Sequence, residues 1–216
     1  METKIARRQN QKGFSLLELI IAMTITLILM AIAATLFSGA LGTRARESRR
    51  TDALTSAQAA LSVMSREIAN AGYGLTNNGI VAADSGTQRL HFRANTTNSN
   101  VVTCDPGEDV TYFYDAASLS IVRYDRFPGS PTNCSAATGE TSVVVNRISN
   151  VTFQYFDYTG SSSTPTVSTT PSLNTGRVRI SVTVQLEQVQ GQPNNQSVTF
   201  TSDVTLRNSD YMLNQY

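Results

Sequence analysis

The most prominent feature of the hydrophobic pattern is an uncharged run over residues 19–41. Leucine, isoleucine, alanine and methionine dominate this run, and all of them are tolerated in a helix. Its length of about 23 residues is close to what a helix needs to span a bilayer. Because backbone groups in lipid must be satisfied within the segment, a single span has to be helical. The pattern predicts a transmembrane helix near the N-terminus.

Beyond this run the helical pattern becomes one-sided. Apolar side chains recur three or four residues apart, at Leu54, Ala57, Leu61, Met64, Ile68 and Ala71. This spacing predicts an amphipathic continuation of the helix whose apolar stripe packs on a globular head. A coiled-coil dimer is the alternative, although the stripe is short for one. Gly72 and Gly74 follow the last apolar position and are expected to end the helix.

After residue 73 the apolar period changes from 3.6 to 2, which is typical of strands. Strands are predicted over residues 88–94, 109–114, 119–125, 141–147, 150–158, 177–187 and 197–206. The second and third should form a hairpin, and so should the last two. Residues 96–107, 128–139 and 159–175 are predicted loops. The predicted fold class is α+β: a long N-terminal helix packed on an antiparallel β-sheet head.

The net charge and the length of the chain limit the classes of function that we expect for it. The chain has 216 residues and a net charge of +1. Residues 1–13 carry a net charge of +3, so the chain without them would have a net charge of −2. That balance gives no electrostatic reason to expect nucleic-acid binding. The length suits one domain with a long appendage. No nucleophilic constellation accompanies the single histidine, so we expect neither an enzyme nor a cofactor.

Two cysteines, Cys104 and Cys134, lie in predicted loops. Without a Cys-x-x-Cys motif and with one histidine, a zinc site of the usual kind is implausible. If the head lies outside the cytoplasm, a disulfide between them is predicted, and the alternative is two separate buried thiols. His91 is expected to be a half-exposed strand residue, facing away from Leu90 and Phe92. The acidic stretch at residues 105–109 is expected to be a solvated turn, with a calcium site as the alternative.

The N-terminal motif Lys12-Gly13-Phe14-Ser15-Leu16-Leu17-Glu18, followed by the apolar run, resembles the signal of type IV prepilins and type II secretion pseudopilins. The resemblance implies cleavage after Gly13 by a prepilin peptidase and N-methylation of Phe14. It also implies that Glu18 meets the terminal amine of a neighbouring subunit during assembly. A carboxylate at the bilayer centre costs about 2.5–3.5 kcal/mol, so it needs such a cation. A conventional secretory signal, cut after the apolar run, is the alternative.

The same resemblance implies a division of the chain. Residues 1–13 would be the cleaved leader, 14–43 the membrane and filament-core helix, 44–72 its amphipathic continuation, and 73–216 the β-rich head. The implied location is the bacterial inner membrane, in a single pass with the head in the periplasm, and then a pilus or pseudopilus. Partners would be the peptidase, an inner-membrane assembly platform and other pilins or pseudopilins. Gly39 and Gly42 are the positions where the helix could bend.

Two shorter matches refine the resemblance. Residues 66–73 resemble the end of the long helix in PilW-like minor pilins and the J-type minor pseudopilin, and residues 203–208 resemble the closing strand of those heads. They imply a minor pilin that primes or tips a type IV pilus. The alternatives are a J-type minor pseudopilin of a type II secretion system, and an anchored adhesin or binding module outside the cytoplasm.

Overall fold

A computed structural model describes residues 13–97, 103–127, 139–159, 164–186 and 196–213. The helices are α1 (Leu16–Ile68), a short 3-10 turn (Ala82–Asp84) and α2 (Asp210–Leu213). The strands are β1 (Arg89–Arg93), β2 (Asp109–Asp115), β3 (Ser120–Asp125), β4 (Glu140–Val145), β5 (Ile148–Asp157), β6 (Thr166–Ser168), β7 (Thr175–Gln185) and β8 (Ser197–Thr205). The predicted α+β class is confirmed.

The chain divides into two compact units, Met1–Ser48 and Arg49–Tyr216. The described part of the first unit is helical from Leu16 onward, and its large apolar side chains are exposed. The second unit holds the rest of α1 together with all the described strands. The hydrophobic core formed by the described residues therefore lies in the second unit.

The predicted apolar stripe on α1 is confirmed within the second unit. Ala57, Met64, Ile68 and Ala71 are completely buried, and Leu61 is nearly so. Leu54, one turn earlier, is partly buried and packs against the same core. Burial of each such side chain stabilises the fold by about 1.5–3 kcal/mol for the larger residues. The stripe fixes which side of α1 faces the strands.

The strands form two antiparallel four-stranded sheets, with the orders β1-β2-β3-β4 and β6-β5-β7-β8. Both predicted hairpins are present, with Val110 opposite Asp125 in one and Val182 opposite Phe200 in the other. The alternation predicted for β7 is also present, because every second side chain from Val178 to Val184 is buried. Side chains from both sheets and from α1 share one core.

The structure departs from the predicted elements in three places. α1 ends at Ile68, and Ala71 lies in the turns that follow, so the helix is three residues shorter than predicted. The predicted loop at residues 159–175 contains β6, which pairs with β5 through Val167 opposite Phe156. The head contains two sheets where one was expected. β6 has only three residues and none of them is buried, so it left no periodic signal in the sequence.

A crossing of two backbone segments follows the end of α1. Gly72 N–H donates to Arg93 O (2.9 Å), and Arg93 N–H donates to Gly79 O (2.7 Å), which joins the chain after the helix to β1. Gly72 and Gly79 have φ values of +79° and +76°, a region that favours glycine. A Cβ on Gly79 would lie 2.1 Å from Gly72 N and 2.3 Å from Arg93 O. The crossing therefore requires glycine at this position.

Candidate processing and assembly segment

α1 begins at Leu16, two residues after the predicted cleavage point between Gly13 and Phe14. Gly13, Phe14 and Ser15 precede the helix, and Ser15 O accepts the hydrogen bond from Leu19 N–H at 3.2 Å. Phe14 is 81% exposed, and no atom lies within 4 Å of the Cβ position at Gly13. The Gly13–Phe14 peptide bond thus lies in an open, non-helical segment, which is the kind of backbone that a peptidase can bind.

Glu18 lies in the first turn of α1, and its side chain is exposed. A negative charge is favourable there, because the unpaired N–H groups of the first turn carry partial positive charge. None of the described ion pairs involves Glu18. Among the described residues, therefore, no cation neutralises this carboxylate.

The helix after Glu18 presents apolar side chains to its surroundings on all sides. It is long and apolar enough to cross a membrane, and none of the most apolar window is buried within the protein. Its hydroxyls bond inward, since Thr24 and Thr35 donate to the carbonyl oxygens of Ile21 and Ile32, each at 2.8 Å. A hydroxyl that bonds its own helix needs no water, so these threonines are compatible with lipid or with a packed helix bundle.

Gly39 and Gly42, the two predicted weak points, lie within the continuous helix. A Cβ at Gly39 would contact nothing, and one at Gly42 would contact only the end of the Arg46 side chain, at 3.4 Å. Arg46 Nε also donates to Gly42 O at 3.2 Å. Among the described residues, no close contact requires glycine at either position.

The prokaryotic N-terminal methylation motif matches residues 8–34 of the chain. The match includes Gly13, Phe14 and Glu18 and the first part of the exposed apolar helix. The match supports the predicted resemblance of this N-terminus to type IV prepilins, at the level of pilins and pseudopilins together. No curated protein and no solved structure matches the chain significantly.

The motif and the α+β layout together indicate a protein like type IV pilins or pseudopilins, with an N-terminal methylation motif, an exposed apolar helix and a β-rich head. The motif implies processing by a prepilin peptidase and assembly with other pilins. It also implies anchoring in a membrane through the apolar helix. Cleavage after Gly13, methylation of Phe14 and the assembly role of Glu18 stay predictions at residue level, as do the predicted domain boundaries.

The predicted cysteine pair is only partly within the described residues. Cys104 is buried, and Cys134 lies outside the described residues. The pairing of the two therefore stays a prediction.

The interpretation of His91 as half-exposed is wrong, because the residue is 7% exposed. Its ring faces away from Leu90 and Phe92 as expected, but carboxylates cover it. His91 Nδ1 lies 3.1 Å from Asp84 Oδ2, and Nε2 lies 2.6 Å from Asp109 Oδ1. Burial alone would raise the pKa of Asp109, but its hydrogen bond with His91 and the charge of Arg93 hold that pKa below its ordinary value. The group is a structural network on β1 and β2.

The acidic stretch at residues 105–109 is not the solvated turn that was expected. Glu108 is completely buried, and its Oε1 accepts from Thr97 N–H at 2.9 Å. Its Oε2 accepts from Asp105 N–H at 3.1 Å, so the carboxylate orders the turn itself. Within the described residues, no group of acidic, cysteine and histidine side chains could hold a metal ion.

A cluster of Glu67, Tyr112 and Arg123, which the sequence did not reveal, joins α1 to the first sheet. Glu67 Oε2 accepts from Tyr112 Oη at 2.7 Å and from Arg123 Nε at 3.0 Å. Burial and the nearby Glu67 charge raise the pKa of Tyr112, so its hydroxyl remains a donor. Glu67 lies between the stripe positions Met64 and Ile68, so local periodicity alone would place it on the polar side of the helix. Its partners lie on two distant strands, and so local periodicity could not identify them.

Proposed function

We propose that this chain is a minor pilin of a type IV pilus, processed by prepilin peptidase and incorporated as a priming or tip subunit. The observation that carries the proposal is the methylation motif at residues 8–34, continuous with an exposed apolar helix. In this proposal the peptidase cuts between Gly13 and Phe14 and methylates the new amine. The uncut chain waits in the inner membrane with its leader in the cytoplasm and its head in the periplasm.

Glu18 is the assembly acid in this mechanism. Two unit charges 4 Å apart attract by about 4 kcal/mol at an effective dielectric of about 20. That attraction offsets the cost of about 2.5–3.5 kcal/mol for a carboxylate at the bilayer centre. The Phe14 amine of an adjacent subunit would supply the positive charge. Packing of the apolar side chains of α1 against other helices would add the remaining cohesion.

The assignment as a minor pilin draws on the two short matches, and the fold brings them together. Arg207 N–H donates to Ala69 O (3.3 Å), and Asn208 Nδ2 donates to Ala71 O (3.2 Å). The residues that resemble the helix end of PilW-like proteins therefore contact those that resemble their closing strand. Because the two segments contact each other in the fold, they support the same resemblance to PilW-like minor pilins. The size of the head and the absence of proline from α1 support the same assignment.

The proposal gives the chain no catalytic role and no cofactor. The chain is a substrate of the peptidase and then a building block of the filament. The disulfide between Cys104 and Cys134 is part of the proposal, because a periplasmic head would meet an oxidising environment.

Mass spectrometry of the N-terminus of the chain, isolated from host membranes, tests the processing step. We expect a chain that begins at methylated Phe14. A chain that begins beyond the apolar run would indicate ordinary secretion and would refute the proposal. Retention of residues 1–13 in the functional protein would refute it as well.

Substitution of Glu18 tests the assembly step separately. Glu18→Ala should be cut and methylated normally but should be recovered poorly with sheared filaments and partner pilins. Asp52→Ala is the matched control, since Asp52 is an exposed acid on the same helix beyond the apolar run. Equal recovery of Glu18→Ala and the control would exclude the proposed role of Glu18. Deletion of the gene tests the filament type: loss of pili agrees with the proposal, whereas loss of protein secretion with pili intact indicates a J-type pseudopilin.

A further inference from the structure

Among the described strands, the free edge of β8 is the longest sheet edge of the head. β8 has nine residues and lies at the end of its sheet, whereas β6 at the opposite end has three. It contains no proline and pairs with β7 without a register shift. Natural proteins usually protect long edges with unpaired charges, bulges or proline, because an open edge can accept another strand. The only charged residue of β8, Asp203, is already paired with Arg179 Nε at 2.6 Å.

The hydrogen-bond pattern shows which backbone groups of β8 are open. Leu206 N–H donates to Gly176 O, and Gln196 O accepts from Leu186 N–H, so even-numbered residues of this segment face β7. In an antiparallel pair the backbone groups of alternate residues point to opposite sides. The N–H and C=O groups of Thr199, Thr201 and Asp203 therefore point away from β7. No described residue forms a backbone hydrogen bond with them on that side.

A groove of about 590 Å³ lies between this edge and the side of α1. Its apolar lining comes from Leu61, Ala69 and Phe200, and serine hydroxyls lie among them. Arg66 on α1 and Arg207 after β8 are the charged residues of the lining. Both are exposed, and neither forms an ion pair with any described residue. The groove thus offers open strand-pairing groups beside an uncompensated charge of two arginines.

We propose that this groove is a docking site for an extended, acidic segment of another protein, which pairs with the free edge of β8 as a fifth strand of the second sheet. Main-chain hydrogen bonds to Thr199, Thr201 and Asp203 provide affinity in this mode, and side-chain pockets provide selectivity. Carboxylates on the added strand pair with Arg66 and Arg207. Apolar side chains on the same face cover Leu61 and Phe200.

The test measures peptide binding to the full chain in detergent micelles. The probe is a fluorescent nine-residue peptide, as long as β8, in which threonine alternates with glutamate or valine. The control peptide has lysine in place of glutamate. We expect saturable binding of the acidic peptide only, detected by fluorescence polarisation. Hydrogen–deuterium exchange over residues 197–205 should slow when it binds, because the open amides of β8 become paired.

Two variants separate strand pairing from charge attraction. The double variant Arg66→Glu with Arg207→Glu should weaken peptide binding about tenfold, or about 1.4 kcal/mol. Arg147 is an exposed arginine outside the groove, so the control variant Arg147→Glu should leave peptide binding unchanged. Thr201→Pro removes an N–H that faces away from β7, so the sheet should fold while binding is lost. Equal binding of both peptides would overturn the proposal. So would acidic-peptide binding that survives Thr201→Pro, because the groove would then bind anions without pairing a strand.

Discussion

Replacement of Gly79 by alanine tests whether the backbone crossing after α1 depends on the absence of a side chain. The substitution adds a single methyl group to a buried turn that joins the end of the helix to β1. Gly79 has a φ of +76°, and a left-handed conformation costs an ordinary residue about 1–2 kcal/mol. The added Cβ would also meet backbone atoms at 2.1 Å and 2.3 Å, and backbone cannot move aside as a flexible side chain can.

Relief of this clash would separate the two segments. Separation would lengthen the bonds from Gly72 N–H to Arg93 O and from Arg93 N–H to Gly79 O. Each such bond contributes about 0.5–1.5 kcal/mol net, and a buried group left unpaired costs about 1–3 kcal/mol. The expected loss in the free energy of unfolding is therefore about 2–5 kcal/mol for Gly79→Ala.

Urea unfolding of the full chain in detergent micelles measures this loss. The chain has eight tyrosines and no tryptophan, so the near-ultraviolet circular dichroism of tyrosine reports on the packed head. Gly86→Ala is the matched control, because no atom lies within 4 Å of its Cβ position and its φ is not positive. The control should stay within about 0.5 kcal/mol of the wild type. If Gly79→Ala unfolds at the same urea concentration as the control, the inferred crossing is wrong.

Three further variants, one of them a double substitution, test other parts of the head by the same unfolding assay. Glu67→Ala should lower the free energy of unfolding by about 1–3 kcal/mol, because it leaves the buried Tyr112 hydroxyl without its acceptor. The same substitution made in a Tyr112→Phe background should cost less. If it costs as much there as in the wild type, the contact between Glu67 and Tyr112 is excluded. Since the pKa of Asp109 is held below its ordinary value, its stabilising effect is present above about pH 4 and is lost as the pH falls below that. Asp109→Asn should therefore flatten the acid side of the plot of stability against pH, and an unchanged slope would contradict this. If Cys104 and Cys134 are bonded, the double serine variant should lose about 3–4 kcal/mol, whereas equal stability with and without reductant would exclude the bond.

The sequence predicted most of the local structure because its signals are local. The stripe from Leu54 to Ile68 and the alternation of β7 each arise within one element, and the burial of those side chains confirms both. The processing motif is also local, since Gly13, Phe14 and Glu18 lie within six residues of one another. The matched N-terminal methylation motif covers all three residues.

Pairings between distant residues were not predictable in the same way. Glu67 contacts Tyr112 and Arg123 across 45 and 56 positions, and His91 contacts Asp109 across 18. Local periodicity places Glu67 on the polar side of a helix and predicts a half-exposed strand position for His91, because each is a polar residue in a locally regular pattern. Whether such a polar residue is solvated or buried against a partner depends on which strands come together, and the local pattern does not contain that information.

The sequence by itself determined that a prepilin-like motif and an apolar helix lie near the N-terminus, and that a helix with one apolar side precedes a β-rich head. Each of these features depends only on the order of residues within one segment, so the hydrophobic periodicity and the charge of that segment are enough to predict it. The tertiary structure decided that the strands divide into two sheets, that Gly79 lies against backbone and that the edge of β8 is open beside two arginines. Those features depend on hydrogen bonds and packing between segments far apart in the chain, and each forms only when the strand order is set.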